Sequence, residues 1–168
     1  MQRRHPLPRL WLMTDERQGE GLWGALQRLP RGSGVVFRHY GLAPAERRRL
    51  YERVRRIARQ RRLILLAAGP TLPRADGVHG KGGRGIRSAS AHSLREISAA
   101  ARAGADIVFL SPVFPTRSHP GARTLGTRRF AALAHQTKLP VVALGGMDAG
   151  KARRLSGAYG WAAIDAWS

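Results

Sequence analysis

The sequence lacks cysteine altogether. Disulfide bonds, thiolate metal sites and a cysteine nucleophile are therefore excluded. Long apolar runs are missing as well, because no stretch reaches the roughly 20 residues that a helix needs to cross a bilayer. Pro6, Pro8 and Arg9 interrupt the segment after the first arginines, so we expect no secretory signal. The cytoplasm is the expected compartment, and no membrane partner is expected.

Acidic residues are scarce: Asp and Glu number 10 against 30 Lys and Arg, which gives a net charge of +20. Such a field attracts nucleic acid, anionic lipid or phosphorylated metabolites. However, only Lys81, Lys138 and Lys151 are lysines, and a GC-rich genome would produce the same preference for arginine. The basic residues are scattered and are not interleaved with the aromatic residues of a stacking platform. A basic nucleic-acid-binding protein therefore stays a remote alternative.

Short apolar runs, most of them separated by amphipathic stretches, predict eight strands and five helices. The strands are expected at 9–13, 34–38, 63–67, 75–79, 86–90, 106–110, 140–144 and 160–164. The helices are expected at 22–29, from Pro44 with a solvated face of arginines, from the capping residue Ser93 to Gly104, around Phe130, and from the capping residue Asp148 to about Ser156.

The connections indicate how this chain economises on length. Segments 68–74 and 80–85 are too short for helices, and we expect none after the eighth strand. A full β/α barrel usually needs about 200 residues or more, whereas this chain has 168. We therefore expect an α/β fold, a shortened TIM-type parallel β/α barrel with several helices reduced or missing, as a single domain over residues 1–168. Its ligand site is expected at the C-terminal ends of the strands.

Two loops predict an anion site at that end. Gly145 and Gly146 lie between a strand and a helix start, where backbone N–H groups can approach an anion. The same pair is equally compatible with a simple tight turn. Thr116, Ser118 and His119 lie in a proline-stiffened loop after the sixth strand. They either donate hydrogen bonds to an anion or belong to a rigid surface loop.

His92 is a candidate for proton transfer, because it lies between the fifth strand and the helix that Ser93 begins. A histidine there can exchange protons near neutral pH. The alternative is a histidine that satisfies local backbone groups.

Seven short motifs occur in an order that resembles the thiamine phosphate synthase and thiazole tautomerase family. They are Thr14-Asp15 and the segments 36–41, 75–79, 90–93, 104–106, 112–116 and 140–146. The resemblance runs from about Arg9 to the C-terminus and is most specific over 88–146. It implies a β/α barrel of thiamine biosynthesis. The synthase, a transferase, joins hydroxymethylpyrimidine diphosphate to thiazole phosphate and releases pyrophosphate with magnesium, whereas the tautomerase branch shifts protons on the thiazole phosphate.

The resemblance also implies roles for individual residues. Arg38 corresponds to the arginine of the second-strand motif, Ser90 to a serine near the pyrimidine, and His92 to the proton-transferring histidine of the tautomerase branch. These three are the expected catalytic residues. The expected substrate- and phosphate-binding residues are Thr116, Ser118, His119, Gly145 and Gly146.

Several positions depart from the family pattern. Ala67 and Ala68 stand where the third strand normally ends in Asn-Asp, and Arg84 replaces an acidic residue. Further departures are Val36 for Gln, Tyr40 for Lys, His119 for Lys and Asp165 for Ser. Magnesium requires oxygen ligands, so the cofactor that the family implies has lost its usual ligands, and we predict no metal-binding residue.

These departures leave more than one function open. The first hypothesis is a synthase-like protein with reduced or lost activity. The alternative is a thiazole-phosphate tautomerase or a non-catalytic binder of a phosphorylated ligand. The expected partner is a small phosphorylated pyrimidine or thiazole, and a homo-oligomer is a further hypothesis.

Overall fold

The computed structural model describes residues 6–70, 72–117 and 120–167. The strands are β1 Leu10–Met13, β2 Gly34–Phe37, β3 Ile64–Ala68, β4 Gly77–His79, β5 Ile86–Ala91, β6 Ile107–Leu110, β7 Val141–Ala143 and β8 Gly160–Ala163. They form a closed barrel in chain order, and every neighbouring pair is parallel, including β8 with β1. The shortened parallel barrel is thus confirmed, and each strand lies within two residues of its predicted bounds.

The five predicted helices are also present among the described residues. They are α1 Gly21–Arg28, α2 Pro44–Arg61, α3 Leu94–Arg102, α4 Gly126–Ala134 and α5 Ala149–Ala152. A 3₁₀ turn at Glu16–Gln18, which the sequence patterns did not predict, follows β1. Within the described residues no helix is long and apolar enough to span a membrane.

α3 begins after the predicted capping residue Ser93, and its cap differs from the usual reciprocal pattern at one hydrogen bond. The Ser93 hydroxyl accepts a hydrogen bond from the N–H of Glu96 at 3.3 Å. The Glu96 carboxylate in turn accepts from the N–H of His92 at 2.6 Å, whereas a capping box would use the N–H of the capping residue itself. The Glu96 carboxylate therefore binds the backbone of His92, one residue before Ser93, and holds it at the start of α3.

α5 is shorter than the predicted helix, which was expected to reach about Ser156. Asp148 does cap it, since its carboxylate accepts from the N–H of Lys151 at 2.8 Å. Beyond Ala152 the bonding tightens, and the N–H of Arg154 donates to the carbonyl of Lys151, three residues earlier, at 3.0 Å. Bonds of that spacing belong to 3₁₀ geometry, so the α-helix ends after one turn.

The barrel interior is filled by side chains that alternate along the strands with those packed beneath the helices. Nine buried residues form it: Trp11, Met13, Val36, Leu66, Ala68, Ile107, Phe109, Val142 and Ala162. The Trp11 indole meets the Phe109 ring edge-on, with centroids 5.3 Å apart. Gly34, paired with Trp11 across β1 and β2, makes room for the indole, because a Cβ there would lie 2.1 Å from the ring.

α2 departs from a simple solvated arginine face at one position. Tyr51, Val54 and Ala58 are its buried apolar residues, and Arg47 is buried with them. The Arg47 guanidinium donates to the backbone carbonyls of His39 at 3.0 Å and of Ala68. It therefore ties the C-terminal ends of β2 and β3 to each other, a role that the arginine-rich sequence of the helix did not indicate.

One side of the barrel is thin, as predicted. Among the described residues, no helix lies between β3 and β4 or between β4 and β5. At the C-terminus Trp167 stacks on Trp161 with centroids 4.9 Å apart and so covers apolar surface without a final helix. Tyr40 is the one large hydrophobic side chain exposed in the described part of the chain, so the thin side offers no exposed apolar surface for a second copy to cover. A homo-oligomer stays a prediction without that support.

Candidate functional site

A cavity of about 620 Å³ opens at the C-terminal ends of the strands. Ligand pockets for small molecules commonly measure about 300–1,000 Å³. All six described residues of the predicted site line it: Arg38, Ser90, His92, Thr116, Gly145 and Gly146. Ser118 and His119 lie outside the described residues. The structure thus brings residues from β2, β5, β6 and β7 to one mouth of the barrel, while their roles stay predictions.

The loops after β6 and β7 are bonded to each other at the mouth. The N–H of Val113 donates to the carbonyl of Leu144 at 2.9 Å, and that of Phe114 donates to the carbonyl of Gly145 at 3.1 Å. Gly145 and Gly146 have φ of +97° and +61°, a region that other residues rarely adopt. A Cβ on Gly146 would also lie 2.3 Å from the Pro115 carbonyl oxygen. The glycine pair is therefore required by this turn.

The same pair is available to an anion. No described backbone carbonyl accepts a hydrogen bond from the N–H of Gly145 or Gly146. The Lys151 ammonium lies beside the turn and donates to the Gly146 carbonyl at 2.7 Å. Free N–H groups favour a negatively charged group, while the charge of Lys151 is partly offset by the Asp148 carboxylate, 3.4 Å from its Nζ.

His92 has one ring nitrogen fixed by the backbone. Its Nδ1 lies 2.7 Å from the carbonyl oxygen of Ser111. A carbonyl can only accept, so Nδ1 carries the hydrogen, and in the neutral ring Nε2 holds the lone pair. The two interpretations of His92 are therefore compatible. Nδ1 donates to a backbone carbonyl, and Nε2 can take a proton from a ligand.

His79 is a cavity residue that the sequence reasoning missed. It lies on β4 between two serines of β5, with Nδ1 2.9 Å from Ser88 Oγ and Nε2 3.0 Å from Ser90 Oγ. Burial, with a smaller contribution from the charge of Arg38, lowers the pKa of His79 to about 4. The ring is therefore neutral at pH 7. The motif 75–79 contained this histidine, but its role depends on the pairing of β4 with β5.

The hydrogen bonds around His79 have one consistent direction. Ser88 Oγ donates to the Val78 carbonyl at 3.3 Å, so it accepts from the Nδ1–H of His79. His79 Nε2 then accepts from the hydroxyl of Ser90. The oxygen of Ser90 consequently faces the cavity as a hydrogen-bond acceptor whose own proton is already held.

Arg38 reaches the cavity wall but is held by β1 and its loop. Its Nε donates to the Thr14 carbonyl at 2.8 Å, and its Nη2 lies 3.1 Å from the Asp15 carboxylate. Asp15 also accepts from Arg17 at 2.8 Å, and this hydrogen bond holds the pKa of Asp15 below its usual range. Two nitrogen atoms of Arg38 therefore already donate hydrogen bonds, and the Asp15 carboxylate offsets part of the positive charge of its guanidinium.

The residues present do not fit the family's magnesium. Ala67 and Ala68 offer no side-chain oxygen at the end of β3, and the guanidinium of Arg47 is bound to the Ala68 carbonyl. Among the described residues no group of three or more His, Asp or Glu side chains could hold a metal ion. Asp15 is engaged by two arginines, and Asp165 lies 3.8 Å from Arg117.

The closed parallel barrel, with glycine N–H groups, a histidine and an arginine at the C-terminal ends of its strands, defines a β/α-barrel protein with a candidate ligand cavity at that end. The family model described as thiamine monophosphate synthase matches residues 81–167. The putative thiamine-phosphate synthase 2 of Aquifex aeolicus is 32% identical over 179 residues, which cover 94% of this chain and 96% of that protein. The chain belongs to the thiamine phosphate synthase family, whose members bind phosphorylated pyrimidine and thiazole substrates.

Solved structures agree with this assignment. The thiamine phosphate pyrophosphorylase from Pyrococcus furiosus superposes with a TM-score of 0.76 at 26% identity, covering 94% of this chain and 85% of that one. FabK from Thermotoga maritima superposes with a TM-score of 0.68 at 15% identity, over 95% of this chain and 61% of that one. The second likeness concerns the barrel fold alone.

Proposed function

We propose that this member of the family binds a small phosphorylated thiazole or pyrimidine in the 620 Å³ cavity and has weak or no synthase turnover. One observation carries the second half of this proposal: the end of β3 presents two alanines and a carbonyl that is bound to the Arg47 guanidinium. A synthase must stabilise the charge that builds up on a departing diphosphate. Metal ions commonly supply several kcal/mol to such a step, and the side chains here replace oxygen ligands with methyl groups.

The binding half rests on the groups that remain at the mouth. The N–H groups of Gly145 and Gly146 and the side chain of Thr116 would hold the phosphate, with Ser118 and His119 as further predicted members of this set. Ser90 would contact the ring of the ligand as an acceptor, because His79 holds its proton. Arg38 would add positive charge, partly offset by Asp15.

The test separates binding from turnover. Hydroxymethylpyrimidine diphosphate and thiazole phosphate are mixed with the protein, with and without magnesium, and thiamine phosphate is followed; the thiamine-phosphate synthase of Pyrococcus furiosus is the positive control. We expect little or no product, whereas calorimetry shows binding of thiazole phosphate. Magnesium-dependent turnover near about 1 per second or above would contradict the loss of activity. No measurable binding of either substrate would contradict the assigned ligand.

The geometry of His92 favours a second candidate function, proton transfer on thiazole phosphate. With Nδ1 fixed by Ser111, the lone pair of the neutral ring is on Nε2, which could act as a base toward a ligand. We expect the protein to exchange a ligand proton for solvent deuterium, as seen by NMR, and His92→Gln to abolish the exchange. His135→Gln is the matched control, because His135 lies outside the cavity and bonds Ser156. Equal exchange in the two variants would remove this candidate.

A further inference from the structure

A second cavity lies at the opposite end of the barrel, where strands β1 to β4 and β8 begin. It measures about 1,330 Å³ and is closed on one side by the C-terminal half of α2. The residues just before the strands form its floor, among them Ser33 ahead of β2, Leu63 ahead of β3 and Tyr159 ahead of β8. We call this cavity the basic cleft, because of the six arginines that line it: Arg9, Arg31, Arg55, Arg59, Arg62 and Arg74.

Most of this positive charge is not neutralised by the protein. Asp76 is the one acidic residue among the described lining, and its carboxylate accepts from the N–H of Leu65 at 2.8 Å. Arg55 pairs with Glu52 at 2.8 Å, and Arg9 lies over the Tyr159 ring at 4.7 Å. The other four arginines form no ion pair with a carboxylate of the described chain. Like charges gathered in a concave wall focus a strong positive potential.

Two of these four arginines also have an unfavourable backbone. Arg62 and Arg74 have φ of 56° and 60°, and within the described chain only His39 shares this property among residues other than glycine. Arg62 ends α2 at a position where glycine is usual. A codon preference for arginine explains how many arginines the chain has. It does not explain why six of them line one cavity, or why two of the six, Arg62 and Arg74, occupy positions with the positive φ that glycine prefers.

From this arrangement we propose that the basic cleft binds an oligophosphate, a ligand with two or more linked phosphate groups. Guanidinium groups pair with phosphate oxygens through two parallel hydrogen bonds. Arg31, Arg59, Arg62 and Arg74 come from three separate segments of the chain around the cavity, so their combined charge suits a chain of phosphates better than a single one. The cleft lies at the end of the barrel remote from the proposed thiazole site and does not depend on it.

The experiment uses inorganic triphosphate as the probe, titrated into the protein by calorimetry at low salt and at about 0.15 M salt. The decisive variant is Arg62→Gly/Arg74→Gly, which removes two cations and places glycine where φ is positive. We expect triphosphate affinity to fall tenfold or more while the melting temperature stays equal or rises. The matched control, Arg128→Gln/Arg129→Gln, removes two exposed arginines of α4 and should keep the affinity within about twofold.

The outcomes distinguish this site from the other one and from a general charge effect. Equal losses in both double variants would mean that net charge alone attracts the anion and would overturn the proposal, as would the absence of saturable binding in wild type. Ala166→Asp, placed at the thiazole cavity, should leave triphosphate binding unchanged; a loss there would move the ligand to that cavity. If ATP binds more tightly than triphosphate, the natural ligand is a nucleotide. If the two bind equally, the cleft recognises the phosphate chain alone.

Discussion

His79 lies between Ser88 and Ser90, with its two ring nitrogens 2.9 Å and 3.0 Å from the two hydroxyl oxygens. The neutral imidazole suits both partners, with Nδ1–H donating to Ser88 and Nε2 accepting from the Ser90 hydroxyl; a protonated ring would have two donors, and Ser90 would have to turn its own proton away and accept instead. Burial acts in the same direction and lowers the pKa of His79 to about 4. The relationship fixes the orientation of Ser90 at the cavity and makes stability depend on pH.

The first prediction concerns that pH dependence. The unfolded histidine has a pKa of 6.5 and the folded one of about 4, so the unfolded state takes up the proton first as pH falls. The contribution of neutral His79 is complete above pH 6.5 and is lost between 6.5 and 4. Wild type should lose up to about 3 kcal/mol of unfolding free energy from this group.

Urea denaturation at several pH values between 7 and 4 measures this effect. His79→Gln cannot titrate, so its unfolding free energy should fall less steeply over that range than that of wild type. The comparison between the two proteins removes the contributions of Asp15 and Asp148, whose carboxyl pKa values are lowered in both. Parallel slopes in wild type and variant would show that His79 is not held neutral.

The second prediction concerns the phosphate at the β7 loop. A substitution of Gly146 is a poor test, because a Cβ would strike the Pro115 carbonyl whether or not an anion binds. Ala166, exposed at the cavity mouth after β8, offers a cleaner one. Ala166→Asp adds a carboxylate to the cavity in which the phosphate is expected and should weaken thiazole phosphate binding tenfold or more, about 1.4 kcal/mol. Ala166→Asn has nearly the same shape and should bind within a few-fold of wild type; equal weakening by both would argue against an anion there.

The third prediction concerns the cap of α3, which positions His92. Ser93→Ala removes the oxygen that accepts from Glu96 N–H and should lower the unfolding free energy by about 1 kcal/mol. Ser93→Asp keeps an acceptor at the helix N-terminus and should lose much less. Chemical denaturation of the three proteins side by side measures the difference. A Ser93→Asp variant as unstable as Ser93→Ala would mean that the hydrogen bond to Glu96 N–H does not contribute to the free energy of unfolding.

The fourth prediction concerns Gly34 in the barrel interior. Gly34→Ala pushes a methyl group into the Trp11 ring, 2.1 Å away, and should destabilise the fold by about 1–3 kcal/mol. Trp11→Leu removes the ring, so the two changes together should cost less than the sum of their separate effects. Denaturant unfolding of the two single variants and the double variant completes the cycle. Strict additivity would show that the methyl group finds room elsewhere.

Much of the fold follows from local patterns in the sequence. Short apolar runs located most of the strands within two residues, because a strand buried on both faces needs a continuous apolar stretch; β5, with the sequence IRSASA, is partly polar and exposed. Pro44 and Ser93 located the starts of α2 and α3, because the preference of each residue for the first turn of a helix is a property of a few neighbouring positions. The glycine pair and the loop after β6 likewise indicated one mouth of the barrel, because parallel strands end on the same side.

Tertiary structure alone decided the remaining features. Arg47 is followed by Arg48 and Arg49, and helical spacing places Arg47 on the buried face of α2, but only the barrel supplies the carbonyls at the ends of β2 and β3 that it meets. His79 acquires its partners from β5 through strand pairing, and the basic cleft combines arginines from segments far apart in the chain. Sequence patterns repeat every two or 3.6 residues and report which face of an element is buried. Which polar group lies opposite another depends on how distant elements are placed, and only the closed barrel sets those distances.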